Sequence, residues 1–149
     1  MKIGEIGEQL VARWLETQGW SILHRRWHCR WGEIDLIAQD KPGNLLAFVE
    51  VKTRSRGNWD ANGLLAITRH KQARLCRTAE LFLSEYPDFG DRLCRFDVAL
   101  VSYQRHQLLS KERSRDNFSN QGIKIGEPIT WKGYHFTLQH YIESAFDAI

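Results

Sequence analysis

Apolar residues recur at helical spacing over residues 3 to 18, where Ile3, Ile6, Leu10, Val11, Trp14 and Leu15 form one stripe and Gly19 follows as a stop. An amphipathic first helix is predicted. The tryptophan- and arginine-rich stretch from Trp20 to Trp31 is expected to be extended, and from Glu33 to Ala38 the period falls to two. Ile34, Leu36 and Ala38 should then share one face of a strand, with Glu33 and Asp35 on the other. The turn residues Asp40-Lys41-Pro42-Gly43-Asn44 precede an apolar run, Leu45 to Val51, so the two strands should form a β-hairpin. Thr53 to Gly63 is polar and reads as a loop. Thr68 is placed to N-cap a helix over 69–84 that ends before Pro87. Leu93 to Tyr103 sets Phe96, Val98 and Leu100 against Arg95, Asp97 and Ala99, the pattern of a strand with one buried face. Residues 104–122 read as a long polar loop, followed by a hairpin of Ile123–Trp131 with Tyr134–Leu138 and a short C-terminal helix from His140. No internal repeat is visible.

The order helix, strands, helix, strand predicts an α/β fold in which a mixed sheet carries helices on its faces. A chain of 149 residues fits one domain and can bury a sizeable core. Its 42% hydrophobic and 26% charged residues exclude a disordered or fibrous chain. Cys29, Cys76 and Cys94 are odd in number and form no C-x-x-C pair, which argues against a disulfide framework or a zinc cluster and suits a reducing cytoplasm. No signal segment and no run of about 20 apolar residues is present, so neither export nor membrane insertion is expected. The net charge of +3 is modest, yet Arg25, Arg26, Arg30, Arg54, Arg56, Arg69, Lys71, Arg74 and Arg77 gather in the middle of the chain. Such a cluster suits a polyanionic partner, although arginines also decorate solvated helix faces.

The chemistry concentrates at Phe48-Val49-Glu50-Val51-Lys52, where a period of two sends Glu50 and Lys52 to one face and Val49 and Val51 to the other. Asp35 interrupts the partner strand, so the hairpin can bring its carboxylate beside that of Glu50. Two such charges about 4 Å apart repel by about 4 kcal/mol at an effective dielectric near 20, and a divalent cation or a shared proton would relieve the cost. Oxygen-only ligands suit Mg²⁺ or Mn²⁺. Lys52 could then orient or help deprotonate an attacking water and stabilise charge on a phosphate. The competing reading is a cross-strand salt bridge on a solvated face.

Gly32-Glu33-Ile34-Asp35-Leu36-Ile37-Ala38 followed by Phe48-Val49-Glu50-Val51-Lys52-Thr53-Arg54 resembles the YraN-like family of predicted endonucleases. The likeness extends to Gly4-Glu5-Ile6-Gly7-Glu8 with Ala12, to Thr68 with Lys71, to Arg95-Phe96-Asp97-Val98 and to Ala145-Phe146. That family looks like a branch of the PD-(D/E)XK nuclease superfamily, which includes Holliday-junction resolvases, and so implies a restriction-endonuclease-like mixed central sheet flanked by helices. By position, the resemblance makes Asp35 and Glu50 metal ligands with the Val51 carbonyl, Lys52 the catalytic lysine, and Glu8 a further carboxylate from the first helix. The implied activity is Mg²⁺-dependent cleavage of DNA, on branched or damaged substrates, and a homodimer would suit such substrates. The alternative is a non-catalytic nucleic-acid-binding module on the same fold.

Glu8 lies at the margin of its helix's apolar stripe and could reach the sheet, whereas Glu5 is expected to point further away. Glu33 shares the face of Asp35 one step further off, where either a contact with metal or its waters or a structural hydrogen bond is open to it. Lys71 occupies a position flanked at i±4 by Ile67 and Leu75, which suggests a phosphate contact or an ion pair with a site carboxylate. Arg54, Arg56, Arg69, Lys71 and Arg74 are the candidates for nucleic-acid phosphates. Asp97 reads as structural, and His24, His28 and Cys29 lack metal-ligand spacing. Trp14, Trp20, Trp27 and Trp31 could stack on bases, with core packing as the commoner use. The segment 104–133 departs from the family pattern and is expected to be a polar insertion.

Overall fold

The computed structural model describes residues 2–57, 67–105 and 122–147. Its elements run α1 (Ile3–Thr17), β1 (Ser21–Cys29), β2 (Gly32–Gln39), β3 (Leu45–Ser55), α2 (Arg69–Glu85), a 3₁₀ turn at Pro87–Phe89, β4 (Leu93–Arg105), β5 (Ile129–Trp131) and β6 (Tyr134–Phe146). The strands form one six-stranded sheet in the order β1-β2-β3-β4-β6-β5. Among the described strands only β3 and β4 pair in parallel, and α2 lies on the crossover between them. This is a mixed α/β architecture of the restriction-endonuclease-like kind expected. No described helix is long and apolar enough to cross a membrane.

Each helix covers one face. Ile6, Leu10, Val11, Ala12 and Leu15 of α1 pack on Leu36, Ala38, Ala47, Val49, Ala99 and Val101. Leu75, Cys76, Ala79 and Phe82 of α2 pack on Ile37, Leu46, Phe48, Phe96, Val98 and Leu100. The apolar run from Leu46 to Val49 is therefore buried on both faces, as a central strand with a parallel neighbour requires. The same holds for β4. Its pattern predicts one buried face, but Ala99 and Val101 bury against α1 while Phe96, Val98 and Leu100 bury against α2. α1 ends where Gly19 takes φ +92°, letting the Trp20 amide return to the Leu15 carbonyl. Thr68 caps α2 by accepting from the Lys71 amide at 3.1 Å.

Several expectations need correction. Ile34 does not share the α1-side core with Leu36 and Ala38 but packs in the α2-side core. The regular alternation breaks at Asp35, opposite Arg26, which adopts φ +52°, while the β1–β2 register runs on unshifted from Arg25↔Leu36 to Trp27↔Ile34. The helix expected from His140 is instead the continuation of β6, because β4 offers a long edge that pairs with it from Tyr134 to Phe146. That pairing satisfies backbone groups a short terminal helix would leave open. The last hairpin is present, turning at Lys132 and Gly133 with φ +39° and +83°, but its first strand is only Ile129–Trp131. Ile123, Ile129 and Trp131 belong to the α1-side core, so the end of the expected polar insertion is structural, while 106–121 lie outside the described residues. Of the loop expected over 53–63, Thr53–Ser55 extend β3, Arg56 and Gly57 form a turn, and 58–63 lie outside the described residues.

Candidate functional site

The site is built where β2 and β3 part. Their pairing runs from Gln39↔Leu46 to Leu36↔Val49 and stops there. One step on, the Val51 amide donates to Asp35 Oδ2 at 2.7 Å, a side-chain bond taking the place of a backbone rung. The diverging strands thus turn Asp35 and Glu50 into one cavity of ≈ 420 Å³, lined also by Gly32, Glu33, Lys71, Arg74, Leu75 and Thr78.

Glu50 is 8% exposed and carries two ammonium groups on one oxygen. Lys71 Nζ lies 2.8 Å and Lys52 Nζ 3.4 Å from its Oε1. Lys52 follows from the strand period, whereas Lys71 arrives from the first turn of α2, which the Thr68 cap holds in place. Of the two uses expected of Lys71, the ion pair is the one formed.

Asp35 has no cation of its own among the described salt bridges. Burial first, and then the Glu50 charge, push its carboxyl up to about 8 against the pull of the Val51 amide, with Glu8 and Glu33 adding to the rise. The lysines diverge. Burial, reinforced by the neighbouring Lys71, lowers Lys52 below an ordinary lysine. Burial is the largest single influence on Lys71 and disfavours its charge, but its side-chain hydrogen bonds, that to Glu50 first, and the charges of Glu50 and Asp35 together outweigh it and raise the group.

A second group of acids meets Asp35 from the α1 side, since carboxylate oxygens of Glu8, Glu33 and Asp35 lie within 4.8 Å of one another. Arg26 Nε donates to Glu8 Oε2 at 2.8 Å and its Nη1 reaches Glu5 Oε1 at 3.3 Å. Glu5 meets β1 through Arg26, but of the two helix carboxylates only Glu8 joins the acidic group at Asp35. The Glu8 hydrogen bond, opposed by desolvation, raises the Arg26 guanidinium. Along the chain Arg26 is only one charge of a basic cluster, because its partners lie 18 and 21 residues away and depend on how α1 docks on β1.

Among the described residues, neither cysteine nor histidine lines the cavity. A set of oxygen donors with one carboxylate held against its charge suits a hard divalent ion such as Mg²⁺ or Mn²⁺, and Asp35 and Glu50 are the carboxylates on this cavity that could hold one.

The candidate phosphate-binding residues separate. Arg74 and Lys71 line the carboxylate cavity. Arg56 instead donates to Gln104 Oε1 at 3.2 Å and lines another cavity with Ser102, Tyr103 and His135. Arg54 and Arg69 are exposed at the end of β3 and the start of α2. Asp97, 0% exposed, accepts from Arg95, from the Tyr141 hydroxyl at 2.7 Å and from the Ser144 amide at 3.0 Å, so it pins a bulge of β6 and is structural, as expected. Trp14 packs on Tyr141, Trp27 on Phe82, and Trp20 lies under the Arg95 guanidinium.

Comparison with known proteins finds relatives of this chain. The profile of uncharacterised protein family UPF0102 matches residues 7–101, which hold Glu8, Asp35, Glu50, Lys52 and Lys71. A UPF0102 protein of Acaryochloris marina is 48% identical over 155 residues, covering 98% of this chain and 90% of its own length. One of Trichodesmium erythraeum is 50% identical, covering 96% and 87% respectively, and one of Nostoc sp. (strain PCC 7120) is 50% identical, covering 100% and 96%. The chain therefore belongs to the UPF0102 family, the YraN-like family that its Asp35 and Glu50-Val51-Lys52 motifs resemble.

Proposed function

We propose that this protein is a metal-dependent nuclease that hydrolyses phosphodiester bonds of DNA. The observation that supports it most is the joint presentation of Asp35 and Glu50 to one cavity, at the point where β2 and β3 separate, with Lys52 and Lys71 on Glu50. A divalent ion held by Asp35, Glu50 and the Val51 carbonyl would neutralise the acids and polarise a phosphate oxygen. The Val51 amide fixes the rotamer of Asp35 in advance, so little reorganisation is needed when the site is used. Lys71 keeps its proton and holds Glu50. Lys52, lowered by burial, is the better acceptor for the proton of an attacking water. Arg74 at the rim supplies a cation for a phosphate. DNA as the polymer comes from the likeness to PD-(D/E)XK nucleases, and a homodimer would let two such sites act on the strands of a branched or duplex substrate.

The test is cleavage of junction, flap, single-stranded and plasmid DNA with Mn²⁺ by wild type, Asp35→Ala and Lys52→Ala. Loss of a general acid–base group costs about 10²- to 10⁴-fold, so Lys52→Ala should be nearly inactive. Equal cleavage by wild type and both variants would assign the activity to a contaminant and remove the proposal.

One observation favours a second reading, a nucleic-acid-binding module without catalysis: Glu50 is already satisfied by two lysines. That reading predicts binding in EDTA that falls steeply with salt and is unchanged in Asp35→Ala.

A further inference from the structure

Beside the carboxylate cavity, the turn joining β1 to β2 places Trp31 under two guanidinium groups. Arg30 Cζ lies 4.8 Å and Arg77 Cζ 5.1 Å from the ring centroid. A third, Arg74, donates from Nε to the Trp31 carbonyl at 3.0 Å and lines the cavity itself. The turn is tied to α2 a second time through Cys29, whose Sγ lies 3.9 Å from Thr78 Oγ1 and accepts from the Trp31 amide at 3.4 Å. Gly32, the next residue, has φ +153° and also lines the cavity.

Among the described residues, Arg26, Arg92 and Arg95 each have a carboxylate within 4.0 Å, and Lys52 and Lys71 share Glu50. Arg30, Arg74 and Arg77 have none among those residues, and all three are exposed. Three like charges gathered on one tryptophan repel one another, so the arrangement gains by taking up an anion. A guanidinium stacked on a ring loses rotamer freedom in advance and keeps its edge donors for an external acceptor, and the fork of donors matches a phosphate.

We propose that Arg30, Arg74 and Arg77, organised on Trp31, form a clamp for the phosphate backbone of a nucleic-acid strand and set where that strand enters the Asp35–Glu50 cavity. This rests on the reading of that cavity as the place of cleavage, and adds the path of the strand and two residues, Arg30 and Arg77, beyond the phosphate contacts expected on β3 and at the start of α2. Trp31 is a positioning residue in it.

The experiment measures binding apart from cleavage. In EDTA, anisotropy of a labelled single strand and of a labelled duplex is titrated from about 50 mM to about 200 mM salt with wild type, the double variant Arg30→Gln/Arg77→Gln, Trp31→Ala, Trp31→Phe and the control Arg13→Gln. The double variant should bind more weakly, with a salt slope shallower by about 1.4 on the single strand or about 1.8 on the duplex, since each phosphate left without its arginine takes about 0.7 or 0.9 from the slope. A change of the size expected for one probe, with none on the other, tells which form lies in the clamp. Trp31→Ala should weaken binding several-fold while keeping the slope, because the charges remain, and Trp31→Phe should restore most of the affinity. Wild-type affinity and slope in the double variant, or no binding by wild type at about 50 mM salt, would overturn the clamp. Wild-type behaviour of Trp31→Ala would overturn the role of the ring. The nuclease reading is judged separately: if Mn²⁺ cleavage is absent while the arginine effects appear in EDTA, the reaction fails and the clamp stands.

Discussion

The Val51 amide donates to the Asp35 carboxylate across 2.7 Å at the place where β2 and β3 cease to pair. A single side-chain bond thus ends the ladder, sets the rotamer of a partly buried acid and leaves it facing Glu50. The behaviour of Asp35 follows from that position.

Stability of the metal-free protein should depend on Asp35. Burial and then Glu50 push it up to about 8 from an ordinary value of 3.8, so the folded state holds a proton that the unfolded chain releases. Its contribution is complete below about pH 4 and is lost as pH rises through about 8. In urea titrations with EDTA between about pH 5 and about pH 8.5, wild type should lose about 1 kcal/mol or more per pH unit over the part of the range that Asp35 governs. Asp35→Asn, which still accepts from the Val51 amide, should be flatter. A wild-type profile no steeper than that of Asp35→Asn would contradict the assignment.

Divalent ions should stabilise the protein at about pH 8. An ion present at about 100 times its Kd adds about 2.7 kcal/mol. For a domain of this size that is a rise of roughly 5 to 10 °C in Tm. Mn²⁺ should raise the melting temperature of wild type but not of Asp35→Asn. No shift in wild type would favour the salt-bridge reading of Glu50.

Lys71→Ala and Lys52→Ala should separate. The Lys71 side chain is 40% exposed, so losing its bond to Glu50 is expected to cost only about 1 kcal/mol by denaturation. Under the proposed mechanism it should slow cleavage less than Lys52→Ala does, because Lys52 takes the proton. Equal losses of cleavage in the two variants would argue against that division.

Asp97→Ala should be among the most damaging substitutions outside the site. It leaves Arg95, the Tyr141 hydroxyl and the Ser144 amide without a buried acceptor, at a cost of about 3 to 5 kcal/mol in chemical denaturation. A loss below about 1 kcal/mol would mean that the β6 bulge is held by pairing alone.

Periodicity and end signals are local, and what depends on them was legible in the chain. The stripe of α1, the cap at Thr68 and the placing of Glu50 and Lys52 on one face of β3 needed only neighbours a few residues apart. The full β6 strand was not legible, because a terminal segment with few long apolar runs pairs only when a partner edge is present, and that edge belongs to β4, some forty residues earlier. The same distinction runs through the site. Residue types and spacing determined that two acids and a lysine share a hairpin. How α1 and α2 dock on opposite faces of the sheet decided that Lys71 joins Glu50, that Arg26 holds Glu8, and that Asp35 lies partly buried between the two groups. Burial and charge proximity belong to packing between distant segments, and no local pattern contains them.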